Sequence, residues 1–300
     1  MADGKLRVAL TGASGLVGSA LKASYEADGH EVVALTRRRG APGVYWDPLK
    51  GELDAAGLEN LDGVVHLAGE NIAAGRWTPE RKALIRDSRV RGTAFLAGAL
   101  AGLKRRPHVF VSASAVGFYG DCDDAVDETA GSGGDFLAVL CRDWEEAAAP
   151  AGRAGIRVVN ARIGVVLSPD GGALAKMLTP FKLGLGGPVG DGQQWLSWIA
   201  LEDAVAALRF CAAERSLNGP VNLTAPGAVT SREFAAALGR ALRRPAFLPL
   251  PAAAARLLFG EMGEALLLAG QRVVPARLKR AGFAFKHAEL DGALRRLLGR

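Results

Sequence analysis

Apolar and polar positions fall in blocks along this chain. Short hydrophobic runs, LRVAL (6–10), EVVAL (31–35), GVVHLA (63–68), HVFVSA (108–113) and IRVVNARI (156–163), are separated by longer mixed segments. Runs this short and rich in valine read as strands, and four of them are apolar at nearly every position, as strands buried on both faces of a parallel sheet should be. The segments near 16–28, 79–101 and 136–149 have the texture of helices. Strand and helix in alternation predict βαβ units and an α/β fold, a doubly wound parallel sheet.

After residue 165 the pattern changes. Loops rich in Gly and Pro (SPDGG, KLGLGGPVGDGQQ) surround a helix near 173–182, and a helix at 202–213 leads to a short strand, VNLT (221–224). From about 230 the chain reads as helical with prolines as punctuation. This predicts a dinucleotide-sized unit over 1–170 to which 200–225 return. The segments 171–199 and 226–300 then form a smaller, partly interleaved C-terminal domain for substrate. The leucines of 290–298, with Arg295 and Arg296 among them, predict an amphipathic helix packed on that domain.

Composition narrows the classes. With 300 residues, 49% hydrophobic and 23% charged, a large core is available and disorder is not expected. The net charge of +6 comes from arginines spread along the chain, with no aromatic-interleaved basic stripe, so a nucleic-acid partner is not expected. A small-molecule substrate is. Three separated cysteines fit neither a disulfide framework nor a metal site and point to a reducing compartment. PAAAARLLFGEMGEALLLAG is broken by Arg256, Glu261 and Glu264, so neither a membrane span nor a membrane partner is expected. The first strand begins at once, with no room for a targeting peptide, which predicts a cytoplasmic protein. Oligomeric state is not readable.

TGASGLVG (11–18) places Gly12, Gly15 and Gly18 directly after a strand and at the opening of a helix. A turn that tight, with backbone close to a pyrophosphate and a helix N-terminus aimed at it, demands glycine. The second strand ends in Thr36-Arg37-Arg38-Arg39, where a site for NAD carries an acidic residue for the ribose hydroxyl. Guanidinium groups there suit a 2′-phosphate, which predicts NADP(H) as cofactor; the alternative is a solvated basic loop.

The Gly-x-x-Gly-x-x-Gly spacing, HLAGENI (66–72), Ser-Arg-Val at 88–90, SASAVGFYG (112–120), DFLAVLCRDWEE (135–146), WLSWIALEDAVAAL (195–208) and RVVPARLKRAGFAF (272–285) resemble the extended, atypical branch of the short-chain dehydrogenase/reductase superfamily. Within it the chain is similar, over essentially its whole length, to an epimerase-like family of the SDR39U type, held to be NADP-dependent sugar-nucleotide epimerases. The resemblance implies a Rossmann-type fold. It implies that Gly12, Ser14, Gly15, Leu16 and Val17 line the pyrophosphate, and that Arg37, with Arg38, meets the 2′-phosphate. His66, Leu67 and Ala68 would border the adenosine ribose and phosphates. Ser112, Ala113 and Ser114 would lie by the nicotinamide ribose, with Ile163 or Gly164 near the nicotinamide. Ser114 matches the superfamily's substrate-orienting serine.

One part of that pattern is missing. The superfamily carries Tyr-x-x-x-Lys on the helix after the serine strand, one helical turn apart so that both reach one site. Here Leu137 and Cys141 stand at those positions. Leucine has no proton to move, and an apolar helix face makes an inert thiol. Tyr119 is the candidate replacement donor, or else a wall residue. Glu70 and Asn71 are candidate substrate residues or loop caps, Arg162 a substrate anchor or a structural ion pair, and Trp195 a stacking platform or packing. The reading is an NADP(H)-dependent oxidoreductase or epimerase-like protein acting on a small, nucleotide-sugar-like substrate. The alternative is a non-catalytic NADP(H)-binding or sensing protein.

Overall fold

The computed structural model describes residues 4–299. The strands that build the sheet are β1 (Arg7–Thr11), β2 (Glu31–Thr36), β3 (Val44–Asp47), β4 (Glu52–Leu53), β5 (Gly63–His66) and β6 (Val109–Ala115). After β7 (Cys122–Val126), which lies outside it, come β8 (Arg157–Ile163) and, beyond β9 (Val165–Leu167), β10 (Trp195–Leu196) and β11 (Trp198–Ala200), strand β12 (Gly219–Leu223). Their order is β12-β8-β6-β5-β1-β2-β3-β4. All pairs are parallel except β3 with β4. The strand order reverses at β1, which lies between β2 and β5. In open parallel sheets the crevice at such a reversal, beyond the carboxyl ends of the strands, is where ligands bind.

Side chains alternate across the sheet and fill two layers. Val8, Leu10, Val65 and Val111 pack with Leu21, Tyr25 and Leu208, whereas Ala9, Val64 and Phe110 pack with Trp46, Leu96 and Leu100. The first layer is covered by α1 (Leu16–Ala27), the second by α2 (Pro79–Ala101). Helix starts follow their local chemistry. Thr78 caps α2 by accepting from Arg81 N, with Pro79 in the first turn, and Asp135 caps α3 (Phe136–Glu146) by accepting from Ala138 N at 2.9 Å. The expected helix over 136–149 is divided: α3 ends at Glu146, and α4 (Ala149–Arg153) begins with Pro150 in its first turn. Pro150 has no N–H to continue the ladder.

A third cluster joins α5 (Gly172–Lys182), α7 (Ser231–Leu242) and the C-terminal helix Leu290–Leu297, which follow and precede α6 (Leu201–Ala213) in the chain. Leu174, Leu178, Phe234, Leu238, Leu290 and Leu294 make its centre. The leucine face of 290–298 is therefore packed as expected. Thr230, at the end of β13 (Val229–Thr230), and Glu233 form a reciprocal capping box on α7. Strands β3 and β4 were hidden by the turn-like APGVYWDPLKGELD, and β14 (Gln271–Val273) pairs with β7 across about 150 residues of chain, beyond any local signal.

Candidate functional site

At the end of β1, Gly12 has φ +68°, and a Cβ there would come within 2.9 Å of the Leu67 backbone. A Cβ on Gly18 would stand 2.1 Å from Gly12 O. These two positions let β1, the loop after β5 and the start of α1 pack against one another, and no larger residue fits. Among the described residues no side chain caps α1 and no acidic residue sits in its first turn. Its free N–H groups face the β1/β5 crevice, and Ser14 and Gly15 are exposed there. Leu16 and Val17 are half-buried, Leu16 in line with the Gly171–Gly172 turn at the start of α5.

The arginines after β2 are not equivalent. Arg39 is held by Glu52 at 2.6 Å and lies over the Tyr45 ring at 4.2 Å. Arg37 and Arg38 are exposed, and among the described residues neither side chain has an ion-pair or hydrogen-bond partner. The crevice thus offers backbone donors at its centre and two free guanidinium groups on the β2 side, a fit for a dinucleotide bearing an extra phosphate.

His66 requires correction as a cofactor-lining side chain. It is fully buried, with Nδ1 2.7 Å from Thr11 Oγ1 and Nε2 2.9 Å from Thr93 Oγ1. Thr11 Oγ1 already accepts from Leu67 N and Ala68 N, both at 3.0 Å, so its hydroxyl donates to Nδ1 and the ring carries its proton on Nε2. Trp144 Nε1 also donates to Thr93 Oγ1, at 2.8 Å. The imidazole is a strut that fixes the loop, in which Leu67 and Ala68 give their N–H groups to Thr11. Burial pushes the imidazole pKa from 6.5 down to about 3. The unfolded chain binds this proton below pH 6.5 and the folded chain does not, so stability declines as pH falls from 6.5 toward 3. Between pH 7 and pH 5 urea unfolding is expected to show a loss of about 2 kcal/mol that is absent in His66→Gln. Equal losses in both proteins would refute the assignment.

The C-terminal ends of β6 and β8 hold a continuous polar network. Ser114 and Arg162 are register partners. Ser114 Oγ donates to Glu145 Oε1 at 2.7 Å; Arg162 donates to the same carboxylate through Nε (2.7 Å) and Nη2 (2.9 Å). Arg162 Nη1 donates to the Tyr119 hydroxyl at 2.9 Å, and that hydroxyl donates to Asn222 Oδ1 at 2.7 Å. Asn222 is tied in turn to Val274 O and to Glu128, which also accepts from Arg277 N. The Arg162 guanidinium stacks on Phe118 at 3.4 Å.

This corrects two candidates. The Tyr119 hydroxyl is committed in both directions, accepting from Arg162 and donating to Asn222, and burial raises its pKa, so it reads as a wall residue. Arg162 forms the structural ion pair, with each of its three nitrogens bonded within the network. Glu145 and Asn222 are the members not expected from sequence. Glu145 could have been found, since it lies four residues beyond Cys141 and eight beyond Leu137, on one face of α3; Asn222 lies about a hundred residues from Tyr119 and left no local trace.

At the positions of the absent pair, Leu137 packs into an apolar cluster with Trp77, Phe136, Leu140, Met262 and Leu266. Cys141 is buried and its thiol is pushed up to about 12, chiefly by burial. Neither moves a proton. Glu70 and Asn71 make loop contacts: Glu70 pairs with Arg81 at 3.0 Å, Asn71 Oδ1 caps Ala73 N at 2.9 Å, and Arg81 bonds to Asn71 O. Trp195 is half-buried beneath Arg272, whose guanidinium lies 4.5 Å from its ring centroid. Ser112 and Ala113 are buried on β6. Ile163 is half-buried, and a Cβ on Gly164 would fall 2.6 Å from Ser197 O, which fixes the chain where β8 ends.

This geometry has known counterparts. Residues 8–223 match the NAD dependent epimerase/dehydratase family, and 250–297 match a domain of unknown function, DUF1731. The chain belongs to the NAD dependent epimerase/dehydratase family. It is 48% identical over 290 residues to an epimerase family protein of Mycobacterium bovis, covering 96% of each. The crystal structure of the human epimerase family protein SDR39U1 (isoform 2) with NADPH superposes with a TM-score of 0.92 at 36% identity, covering 98% of this chain and 100% of that one. A nucleoside-diphosphate sugar epimerase of Corynebacterium glutamicum gives 0.82 at 38% identity, covering 99% of this chain and 59% of that one. The epimerase-like resemblance and the Rossmann-type α/β fold are thereby established.

Proposed function

We propose that this chain binds NADP(H) in the β1/β5 crevice and acts as an oxidoreductase or epimerase on a small, nucleotide-linked substrate, with Ser114 and Glu145 in place of the Tyr-x-x-x-Lys pair. The observation that carries the cofactor half is the pair of free guanidinium groups, Arg37 and Arg38, beside an uncapped helix N-terminus; the NADPH in the human relative supports it. Gly12, Ser14, Gly15, Leu16 and Val17 would hold the pyrophosphate, Leu67 and Ala68 the adenosine ribose through backbone, and Ser112, Ala113, Ile163 and Gly164 the nicotinamide end. Residues 1–170 and 200–225 would hold cofactor, and 171–199 with 226–300, including Trp195, would face substrate. The site would lie in the cytoplasm.

Once bound, NADP(H) supplies a hydride donor or acceptor; the chain itself must position the substrate and handle a proton. Ser114 Oγ gives its hydrogen to Glu145, so its lone pairs are left to accept from a substrate hydroxyl. As that proton arrives on Oγ, the serine's own proton passes to Glu145 Oε1, and Arg162 holds the carboxylate in place. The apolar cluster of Leu137, Trp77 and Met262 would shield the reacting side from water.

A second reading, cofactor binding without turnover, is favoured by one feature: every tyrosine, lysine and thiol at the usual acid–base positions is replaced or buried. Isotope exchange at the nicotinamide C4, run over a panel of sugar nucleotides, separates the two. Exchange is expected in the native protein and about 100-fold slower in Ser114→Ala, with unchanged NADPH affinity. Exchange at full rate in that variant would remove the relay; tight NADPH binding with no exchange on any substrate would establish the second reading.

A further inference from the structure

Among the described residues no helix is long and apolar enough to cross a membrane, yet two neighbouring loops carry side chains that water does not favour. Leu183 is 69% exposed, Leu185 59%, Phe247 72% and Leu248 44%. The first pair follows α5 and the second follows α7. Leu248 N donates to Gly186 O at 3.2 Å, and a Cβ on Gly184 would meet Pro245 at 3.5 Å, so the two loops form one patch. Scattered exposed leucines are ordinary, but four large apolar side chains on two touching loops mark an interaction surface.

Charge says what the surface meets. Residues 171–190 and 234–260 contain no Asp or Glu. Lys182, Arg243 and Arg244 flank the apolar residues, all three exposed, and among the described residues none is in an ion pair. Arg240, one turn earlier on α7, is neutralised by Asp291. The patch is therefore cationic and apolar together, on loop tips whose side chains stand clear of the surface. A protein partner would have to supply a pocket for each tip. An anionic bilayer supplies acyl chains for the tips and headgroup phosphates for the cations at the same depth.

We propose that the loops 182–187 and 243–248 dock this protein on the surface of membranes rich in anionic lipid. Leucine and phenylalanine insert at the interface, and Lys182, Arg243 and Arg244 lie among the headgroups. The surface is separate from the β1/β5 crevice and does not depend on the cofactor assignment.

Co-sedimentation of the full chain with vesicles tests it, comparing phosphatidylcholine alone with phosphatidylcholine mixed with phosphatidylglycerol. Binding to the mixed vesicles is expected to be at least about tenfold greater. Phe247→Ser combined with Leu183→Ser, and Lys182→Glu combined with Arg244→Glu, should each return it to the level on phosphatidylcholine, with thermal melting unchanged because all four side chains are exposed. Absence of native-protein binding to the mixed vesicles, or undiminished binding by both variants, would overturn the proposal. So would a dimer in analytical ultracentrifugation that Phe247→Ser with Leu183→Ser dissociates while no vesicle binding is seen, since the patch would then be a contact between copies.

Discussion

Glu145→Leu is expected to destabilise the protein by about 3–5 kcal/mol, measured by urea unfolding at neutral pH. Among the described residues the carboxylate is the only partner for two of the three donor nitrogens of Arg162, and that guanidinium is buried. Without Glu145 a charge remains in the core with a phenol and a phenyl ring beside it. The cost is that of an uncompensated ion, not the net worth of the pair. The companion test follows: Glu145→Leu with Arg162→Leu should recover most of the loss, because buried ion pairs exchanged for apolar residues are often nearly neutral. A loss below about 1 kcal/mol in the single variant would mean that water reaches Arg162 and that the network is not the strut described. The same double variant should lack Ser114-dependent exchange, since the serine then has no acceptor.

The second large effect concerns the cofactor. Arg37→Asp is expected to raise the NADPH Kd about 100-fold, the equivalent of about 2–3 kcal/mol, by removing a charge-assisted contact and placing a carboxylate against a phosphate. NADH affinity should change little, since that cofactor brings no phosphate to this corner, so the preference between the two reverses. Arg39→Ala is the control. Its guanidinium is held by Glu52 and Tyr45, and its loss should leave the preference in place. If Arg39→Ala collapses NADPH binding and Arg37→Asp does not, the arginines have been assigned in the wrong order.

How much of this was legible in sequence can be told from particular residues. The glycines at 12, 15 and 18 declared the turn because only glycine allows the approaches seen at the Leu67 backbone and at Gly12 O. Four of the five runs declared the parallel core because they are apolar at nearly every position, whereas the fifth, IRVVNARI, carries Arg157, Asn160 and Arg162 among its apolar residues. Short edge strands such as β3 and β4, set among Gly and Pro, read as turns, since β3 is held by pairing to β2 and β4 by pairing to β3 rather than by their own composition. The candidate site was half legible. That Leu137 and Cys141 could not do acid–base work was readable directly, but which polar residues compensate for each other was not. Tyr119, Glu145, Arg162 and Asn222 come from four elements, and only the sheet brings them together. Each alone is compatible with a ligand or a strut. His66 shows the same limit, because a histidine ending a strand beside a cofactor loop looks like a ligand until Thr11 and Thr93 are seen on either side of the ring.

The most direct test of the central claim, that the glycine turn and Arg37 hold NADP(H), is native mass spectrometry of the protein mixed with equal amounts of NADPH and NADH. The expected result is a mass increase matching NADPH on each chain, little NADH, and loss of the NADPH adduct in Arg37→Asp. A bare chain under these conditions, or a preference for NADH, would contradict it.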